Sequence, residues 1–171
     1  SEIAAMTDII ELTCATGEAF TARRSTGQIV AWGVAGHGGD IDPGIGSLTD
    51  IVEVSSTLVA FAARRGNGHV VAWGHATYGG AVPADIARLD DIVQVCGAST
   101  AFAALRKNGT VVAWGNATSG GDTTPVASEL TQVLALYSNA HGFTALTADG
   151  RVVTWGHPSG GGDSSAVQDR L

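Results

Sequence analysis

The fold of this chain is decided by the stretch Gly-Thr-Val-Val-Ala-Trp-Gly at residues 109–115, because the same pattern returns at a fixed interval. The tryptophans lie 41 residues apart, and so do a phenylalanine ahead of each one and a glycine between the two. These positions are Trp32, Trp73, Trp114 and Trp155; Phe20, Phe61, Phe102 and Phe143; and Gly27, Gly68, Gly109 and Gly150. Three residue types in register at one period indicate a repeat architecture.

The repeat divides the chain of 171 residues into four units, at 7–48, 49–89, 90–130 and 131–171. The first unit holds one extra residue between Leu12 and Phe20, and residues 1–6 complete the boundary before it. Since no stretch is left over for a linker or another domain, the sequence predicts a single repeat domain, 1–171.

Each unit has the pattern of three short strands. In the third unit they are predicted at 92–95, 101–105 and 110–115, and Asn108-Gly109 lies between the last two. Asn-Gly between apolar runs predicts a hairpin with a type I′ turn, in which both residues take positive φ. The glycine-rich segment 120–130 predicts a loop with at most one helical turn, which ends in an inward-facing Leu130.

Units of three to four short antiparallel strands, with an aromatic and a glycine signature in each, predict an all-β protein built of β-propeller blades. A lone blade cannot bury both of its faces, so neighbouring blades must stack. Small residues at the strand centres, such as Ala62, Ala72, Ala103 and Ala113, suit sheets that pack closely face to face.

The composition excludes several classes of protein. A hydrophobic content of 44% with only 15% charged residues excludes an intrinsically disordered chain. The net charge of −7 argues against a nucleic-acid partner, which needs surplus Lys and Arg. No apolar run approaches the length of a membrane helix, so we expect no membrane insertion. The two cysteines, Cys14 and Cys96, are predicted to be buried free thiols rather than a disulfide.

The run Gly-x-Val-Val-Ala-Trp-Gly at residues 68–74 and 109–115 resembles the signature of the regulator-of-chromosome-condensation (RCC1-type) repeat. The resemblance covers nearly the whole chain and implies a propeller that binds rather than catalyses, as in the scaffold and inhibitory members of that family. The chain departs from the family in two ways. Gly-Gly stands where the chromatin protein has a Gly-Gln-Leu-Gly stretch, and four units stand where the family has seven.

Four units leave three ways to complete the propeller: a four-bladed monomer, an open arc, or two chains that share one ring. An open arc would expose two apolar blade faces. Oligomers prefer closed symmetry, so the sequence favours self-association into an eight-bladed ring.

Residues with catalytic or metal-binding chemistry are few. No catalytic signature surrounds any of the five histidines, and a metal ring would need a histidine in every unit. Asp40, Asp122 and Asp163 recur beside glycines, but the carboxylate spacing of calcium loops is absent, so they are interpreted as turn-forming residues. We therefore expect no enzymatic activity, no metal and no cofactor.

Six of the nine basic residues stand ahead of the hairpin glycines, in pairs interpreted as equivalent between units: Arg23 and Arg24, Arg64 and Arg65, and Arg106 and Lys107. Propeller symmetry would place them on one rim. They either keep the hairpin tips soluble or form an edge that binds an anionic partner.

The loop after each Trp-Gly pair varies between units, and repeat proteins place binding specificity in such variable positions. The candidate partner-binding residues here are His37, His75, Tyr78, Asn116 and His157, although closing the turns would explain them equally well. The sequence predicts a non-catalytic binding or scaffold module whose partner is another protein. The alternative is a lectin-like propeller that binds a glycan at one shallow site per blade.

Overall fold

The computed structural model describes residues 6–15 and 18–170, which form four antiparallel sheets of three strands each. Within each sheet the strands lie in chain order, so each repeat unit is one blade. Blade 1 holds β1 (Ile9–Ala15), β2 (Ala19–Arg24) and β3 (Ile29–Gly33); blade 2 holds β4 (Ile51–Ser56), β5 (Ala60–Arg65) and β6 (Val70–Gly74); blade 3 holds β7 (Ile92–Gly97), β8 (Ala101–Arg106) and β9 (Val111–Gly115); blade 4 holds β10 (Val133–Ser138), β11 (Gly142–Thr147) and β12 (Val152–Gly156). The predicted all-β class is confirmed.

The segments between strands and blades contain only short helical turns. Four-residue helices follow blades 1 and 2, as α1 (Pro43–Gly46) and α2 (Ala84–Ala87), and the other turns are 3-10 helices at Ala35–His37, Ala76–Tyr78, Ala117–Ser119, Thr124–Val126, Pro158–Gly160 and Ser165–Arg170. Leu130, at the end of the third such segment, is buried. The prediction of a loop with one helical turn and an inward leucine is confirmed there.

The first strand of every blade carries a β-bulge, which the sequence did not predict. In β4 the register shifts between Ile51 and Glu53, so the extra residue interrupts the alternation of sides. Ile51 and Val54 consequently share a buried face although they are three residues apart, and Val52 between them is exposed.

The hairpin between the second and third strands is confirmed in every blade, but the predicted type I′ turn is wrong. In blade 2 the Gly68 N–H donates to the Arg65 carbonyl at 3.0 Å, and Gly68 has φ of 84° while Asn67 does not take positive φ. The turn is of type I with a glycine bulge. The Asn67 side chain accepts from the backbone N–H of His69, so the asparagine acts through its carbonyl oxygen.

The hydrophobic core lies between the blades. Three clusters of buried side chains each join one blade to the next. We call the side of a blade that meets the preceding blade its leading face and the opposite side its trailing face. In blade 3, Phe102 and Trp114 lie on the leading face, while Ala103 and Ala113 lie on the trailing face.

Every blade junction contains the same arrangement, which we call the glycine–aromatic contact. Phe102 stacks on Trp114 with ring centroids 5.3 Å apart, and the Trp114 indole donates to the Gly79 carbonyl of blade 2 at 2.9 Å. A Cβ atom on Gly79 would stand 2.5 Å from the Phe102 ring, so only glycine lets the blades approach. The equivalent bonds join Trp73 to Gly38 and Trp155 to Gly120.

Both cysteines are free, but the prediction that they are buried is wrong for Cys14, which is exposed, and Cys96 is half-buried. Burial, together with the nearby Glu53 carboxylate, raises the pKa of the Cys96 thiol to about 11. The Cys96 thiol lies 3.5 Å from the Leu136 carbonyl in blade 4, so it packs within a blade junction.

Candidate functional site

The two groups of predicted site residues lie at opposite ends of the strands. The turns after each Trp-Gly pair adjoin the turn between the first two strands of the same blade, as shown by the bond from the His75 N–H to the Val59 carbonyl. We call this end the loop face, at residues 34–37, 56–59, 75–78, 97–100, 116–119, 138–141 and 157–160. The second turn of each blade and the Arg pairs lie at the other end, the hairpin face.

Three candidates on the loop face occupy one repeat position, directly before a 3-10 turn. His75, Asn116 and His157 are exposed there. Each side chain bonds to the residue two positions later: Nδ1 of His75 to Thr77, Oδ1 of Asn116 to the Thr118 N–H, and Nδ1 of His157 to Ser159. The side chains thus hold the turns and still present an exposed edge.

His37 and Tyr78 share another repeat position, at the end of the 3-10 turn, and both are half-buried. The His37 ring bonds to the Glu18 carboxylate of its own blade. The Tyr78 ring packs beside the core and meets the His75 ring edge-on, with centroids 5.1 Å apart. Tyr78 therefore anchors its loop and shows only part of its ring.

The sequence missed a groove on the loop face that crosses three blades. It is lined by the turns at 56–58, 97–99 and 138–140. Backbone bonds join these turns, from the Leu58 N–H to the Ser99 carbonyl at 2.9 Å and from the Ser99 N–H to the Ala140 carbonyl at 3.1 Å. The Leu58 side chain is 38% exposed, and Val34 is 48% exposed on a loop of blade 1. Periodicity did not reveal this groove because no position of its turns holds the same residue in all three blades.

On the hairpin face, five of the six candidate basic residues form ion pairs with carboxylates that lie on the first strand of their own blade or directly before it. The pairs are Arg23 with Glu11 (2.6 Å), Arg24 with Asp8 (3.0 Å), Arg64 with Glu53 (2.7 Å), Arg65 with Asp50 (3.0 Å) and Arg106 with Asp91 (2.9 Å). Because these carboxylates neutralise the guanidinium groups within the chain, the structure favours a folding role over an anion-binding rim.

The structure also corrects the alignment of the basic pairs. Arg106 pairs with Asp91 as Arg65 does with Asp50, so Arg106 is equivalent to the second arginine of each pair. Leu105, which is 5% exposed, occupies the position of the first arginine. Lys107 lies one residue further on and is exposed in the turn. No salt bridge within residues 6–15 and 18–170 includes Lys107.

Blade 4 replaces the inter-strand ion pair with a local cluster. Thr147 stands at the position of Arg65, and its hydroxyl donates to Asp149, which also accepts from the Arg151 guanidinium at 2.7 Å. These bonds lower the pKa of Asp149 from 3.8 to about 2, and the bond from Thr147 has the largest effect.

The recurring aspartates form turns in two of the three predicted places. Oδ1 of Asp122 accepts from the Thr124 N–H, and Oδ1 of Asp163 accepts from the Ser165 N–H. These side-chain and backbone bonds lower the pKa of both carboxyls. In blade 1 the turn is instead held by Asp42, whose Oδ1 accepts from the Gly44 N–H at 2.7 Å, rather than by Asp40.

Within residues 6–15 and 18–170 no three His, Cys, Asp or Glu side chains stand close enough together to hold a metal ion. Over the same residues no helix has the length and apolarity needed to span a bilayer. His141 and His157 are neighbours, with ring centroids 6.2 Å apart.

The sequence matches no protein-family model and no curated protein. Among solved structures the chain is similar to human WBSCR16, at 16% identity and a TM-score of 0.59, over 86% of this chain and 47% of that one. It is similar to yeast RCC1 (Prp20) bound to Kap60, at 21% identity and a TM-score of 0.61, over 86% and 43%. A third similar structure is the ectodomain of the Physcomitrella patens receptor kinase CR4, at 15% identity and a TM-score of 0.60, over 84% and 40%.

The chain therefore has the fold of an RCC1-like β-propeller, and the resemblance seen in its sequence is confirmed. It spans less than half the length of these solved structures. The four blades form a frame with two unlike ends: a loop face with exposed apolar side chains, and a hairpin face whose arginines are paired.

Proposed function

We propose that this chain is a non-catalytic protein-binding scaffold whose loop face holds the partner. The observation that carries the proposal is the contrast between the two ends. The loop face varies from blade to blade, exposes Val34 and holds a groove that Leu58 lines, whereas the arginines of the hairpin face are bound to carboxylates of the chain. Variable side chains on a repeated frame are the usual means by which repeat proteins recognise partners.

Solved relatives of this fold support a protein as the partner. Yeast RCC1 has been solved in complex with Kap60, and the same protein, Prp20p, has binding properties to Gsp1p and histones. The net charge of −7 and the paired arginines argue against a nucleic-acid partner.

The glycan alternative has less support from the loop face. A lectin site needs an aromatic ring on which a sugar can stack, repeated in each blade if each blade holds a site. Among the described residues of the four loops after Trp-Gly, Tyr78 is the single Phe, Tyr or Trp, and its ring is partly packed against the core.

The test compares two double variants that add the same charge at opposite ends. The loop-face variant is Val34→Asp with Leu58→Asp, and the hairpin-face variant is Thr26→Asp with Ala148→Asp; all four residues are exposed. Each variant and the wild type serve as bait in an extract of the native host. The captured protein is then purified, and its affinity for each bait is measured by calorimetry.

We expect the loop-face variant to bind the purified partner about tenfold or more weakly, as for loss of an interface anchor, and the hairpin-face variant to bind like the wild type. Equal binding by the loop-face variant, or loss confined to the hairpin-face variant, would overturn the proposal. A glycan array in which the wild type binds one sugar and the loop-face variant does not would replace the protein partner with a glycan.

A further inference from the structure

The glycine–aromatic contact has an aromatic half on each leading face and a glycine half on each trailing side. Among residues 6–15 and 18–170 it forms three times, between consecutive blades. A Cβ atom on Gly38, Gly79 or Gly120 would stand 2.5–2.6 Å from the phenylalanine of the next blade, so each junction has the same close fit.

Blade 1 carries the aromatic half of this contact, and no glycine half among the described residues stands against it. Phe20 stacks on Trp32 with ring centroids 5.5 Å apart and an interplanar angle of 16°, close to the 5.3 Å and 16° of Phe61 and Trp73 in blade 2. Yet Phe20 is 47% exposed, while its three counterparts are at most 2% exposed. Leu12 on the same face is 68% exposed, against at most 8% for its counterparts. Among the described residues no carbonyl accepts from the Trp32 indole, as one does from each other tryptophan.

Blade 4 carries the glycine half. Gly161 follows a 3-10 turn and has φ of 93°, like the three glycines that meet an aromatic ring. A Cβ atom there would meet just one described side chain, the Asn139 amide at 3.5 Å. Tyr137 is 59% exposed at the position of Cys96, which lies against Leu136 of the next blade. Leu136 is the counterpart of Leu12.

The rest of the trailing face of blade 4 is also suited to a blade junction. Thr144 and Thr154 stand where blades 2 and 3 have alanine. Thr21 holds the position of Thr144 in blade 1 and is 1% exposed, so a junction accepts threonine there. The Thr154 and Ser164 hydroxyls are 3.1 Å apart and bond to one another, so Thr154 has a partner within its own blade.

We propose that a second copy of this chain completes both open halves. Phe20 and Trp32 of each copy seat on Gly161 of the other, and Leu12 packs beside Tyr137. Because the contact joins unlike surfaces, a two-fold pair forms it twice and closes a ring of eight blades. Once one contact has joined the two chains, the second forms within the same pair at a high effective concentration. It therefore adds to the stability of the dimer. This pairing goes beyond the proposed function, since it requires no other partner.

The test is the mass of the purified chain in solution, measured by sedimentation equilibrium at micromolar concentrations. The expected value for the wild type is twice the 17.2 kDa of one chain. Gly161→Asn should give the mass of a single chain. Asparagine tolerates the left-handed backbone, but its Cβ would clash with the Phe20 ring of the partner copy.

The matched control is Gly150→Asn, the same substitution at a glycine with φ of 84° and no atom within 4 Å of an added Cβ. It lies in a hairpin turn and should leave the dimer intact. Phe20→Asp should abolish the dimer from the opposite half. Circular dichroism shows that each variant remains folded before its mass is interpreted.

A wild type with the mass of one chain at every concentration would overturn the proposal. So would a dimer that Phe20→Asp dissociates and Gly161→Asn does not, because that result means two leading faces pair with each other. Larger assemblies that grow with concentration would mean an open array and would also overturn it. None of these outcomes depends on whether the loop face binds another protein.

Discussion

The indole N–H of Trp114 donates to the carbonyl oxygen of Gly79, 35 residues earlier in the chain, across 2.9 Å. Trp114 lies on the leading face of blade 3 and Gly79 on the trailing side of blade 2, so the bond crosses the junction. Trp114 is 2% exposed, and its ring stacks on Phe102. The residues that repeat in the sequence are therefore the ones that pack neighbouring blades against each other.

Replacing Trp114 with phenylalanine should destabilise the chain by about 1–3 kcal/mol, because the buried Gly79 carbonyl loses its donor. The matched control is Trp32→Phe, which should cost less because no described carbonyl accepts from that indole. Urea unfolding of both variants in the Gly161→Asn background keeps self-association out of the comparison and leaves the stacking of Phe20 on Trp32 intact. Equal losses in the two variants would show that the bond contributes nothing.

Neighbouring basic residues on the hairpin face should differ in their effect on stability. Arg106→Gln removes the ion pair with Asp91. The Arg106 side chain is 27% exposed and that of Asp91 is 25% exposed, so the free energy of unfolding should fall by about 0.5–1 kcal/mol at low salt. Lys107→Gln should change the free energy of unfolding by less than about 0.5 kcal/mol. Chemical unfolding at low and high salt checks this, since salt should shrink the difference. A larger loss for Lys107→Gln would contradict the pairing.

The two thiols should differ in reactivity. Cys14 is exposed, whereas burial raises the pKa of Cys96 to about 11, so little Cys96 thiolate exists at pH 8. An aromatic disulfide reagent should modify Cys14 first and Cys96 slower by on the order of a hundredfold. Cys14→Ser should leave just the slow phase, and the rate of that phase should rise up to about pH 11. Two equal rates would refute the burial of Cys96.

Asp149 should titrate with a pKa of about 2, below its ordinary value of 3.8. A folded-state pKa below the unfolded one stabilises the fold above about pH 4, and this contribution is lost as the pH falls through about 2. Thr147→Val removes the first bond to the carboxylate and should move the pKa back toward 3.8. Carboxyl NMR titration measures both values, and an unmoved midpoint in Thr147→Val would exclude Thr147 as the cause.

Much of the fold followed from the sequence because the residues that make the blade junctions are the ones that repeat. The hairpin turn of blade 3 needs Gly109, and the junction with blade 2 is packed by Trp114 and Phe102. Each of these residues recurs every 41 residues. The β-bulge near Val52 could not be read in the same way. Its extra residue changes which side chains face inward without changing their types.

The candidate site was less accessible to sequence reasoning. The basic residues were noticed as pairs, but Arg64 bonds to Glu53 on the neighbouring strand and Arg65 bonds to Asp50, directly before that strand. Those carboxylates are more than ten residues earlier in the chain, so strand pairing was needed to match them. The groove beside Leu58 arises from turns of three blades and has no single sequence signature.

The central claim is that the glycine–aromatic contact joins the blades within one chain and also joins the two chains of the dimer. Exchange of the Trp32 indole proton, followed by NMR in heavy water, tests this claim most directly. The indoles of Trp73, Trp114 and Trp155 donate to carbonyls within the chain and should be protected at all protein concentrations. Trp32 should be protected when the chain is concentrated and should exchange rapidly when it is dilute or carries Gly161→Asn. Rapid exchange of Trp32 at every concentration would contradict the account.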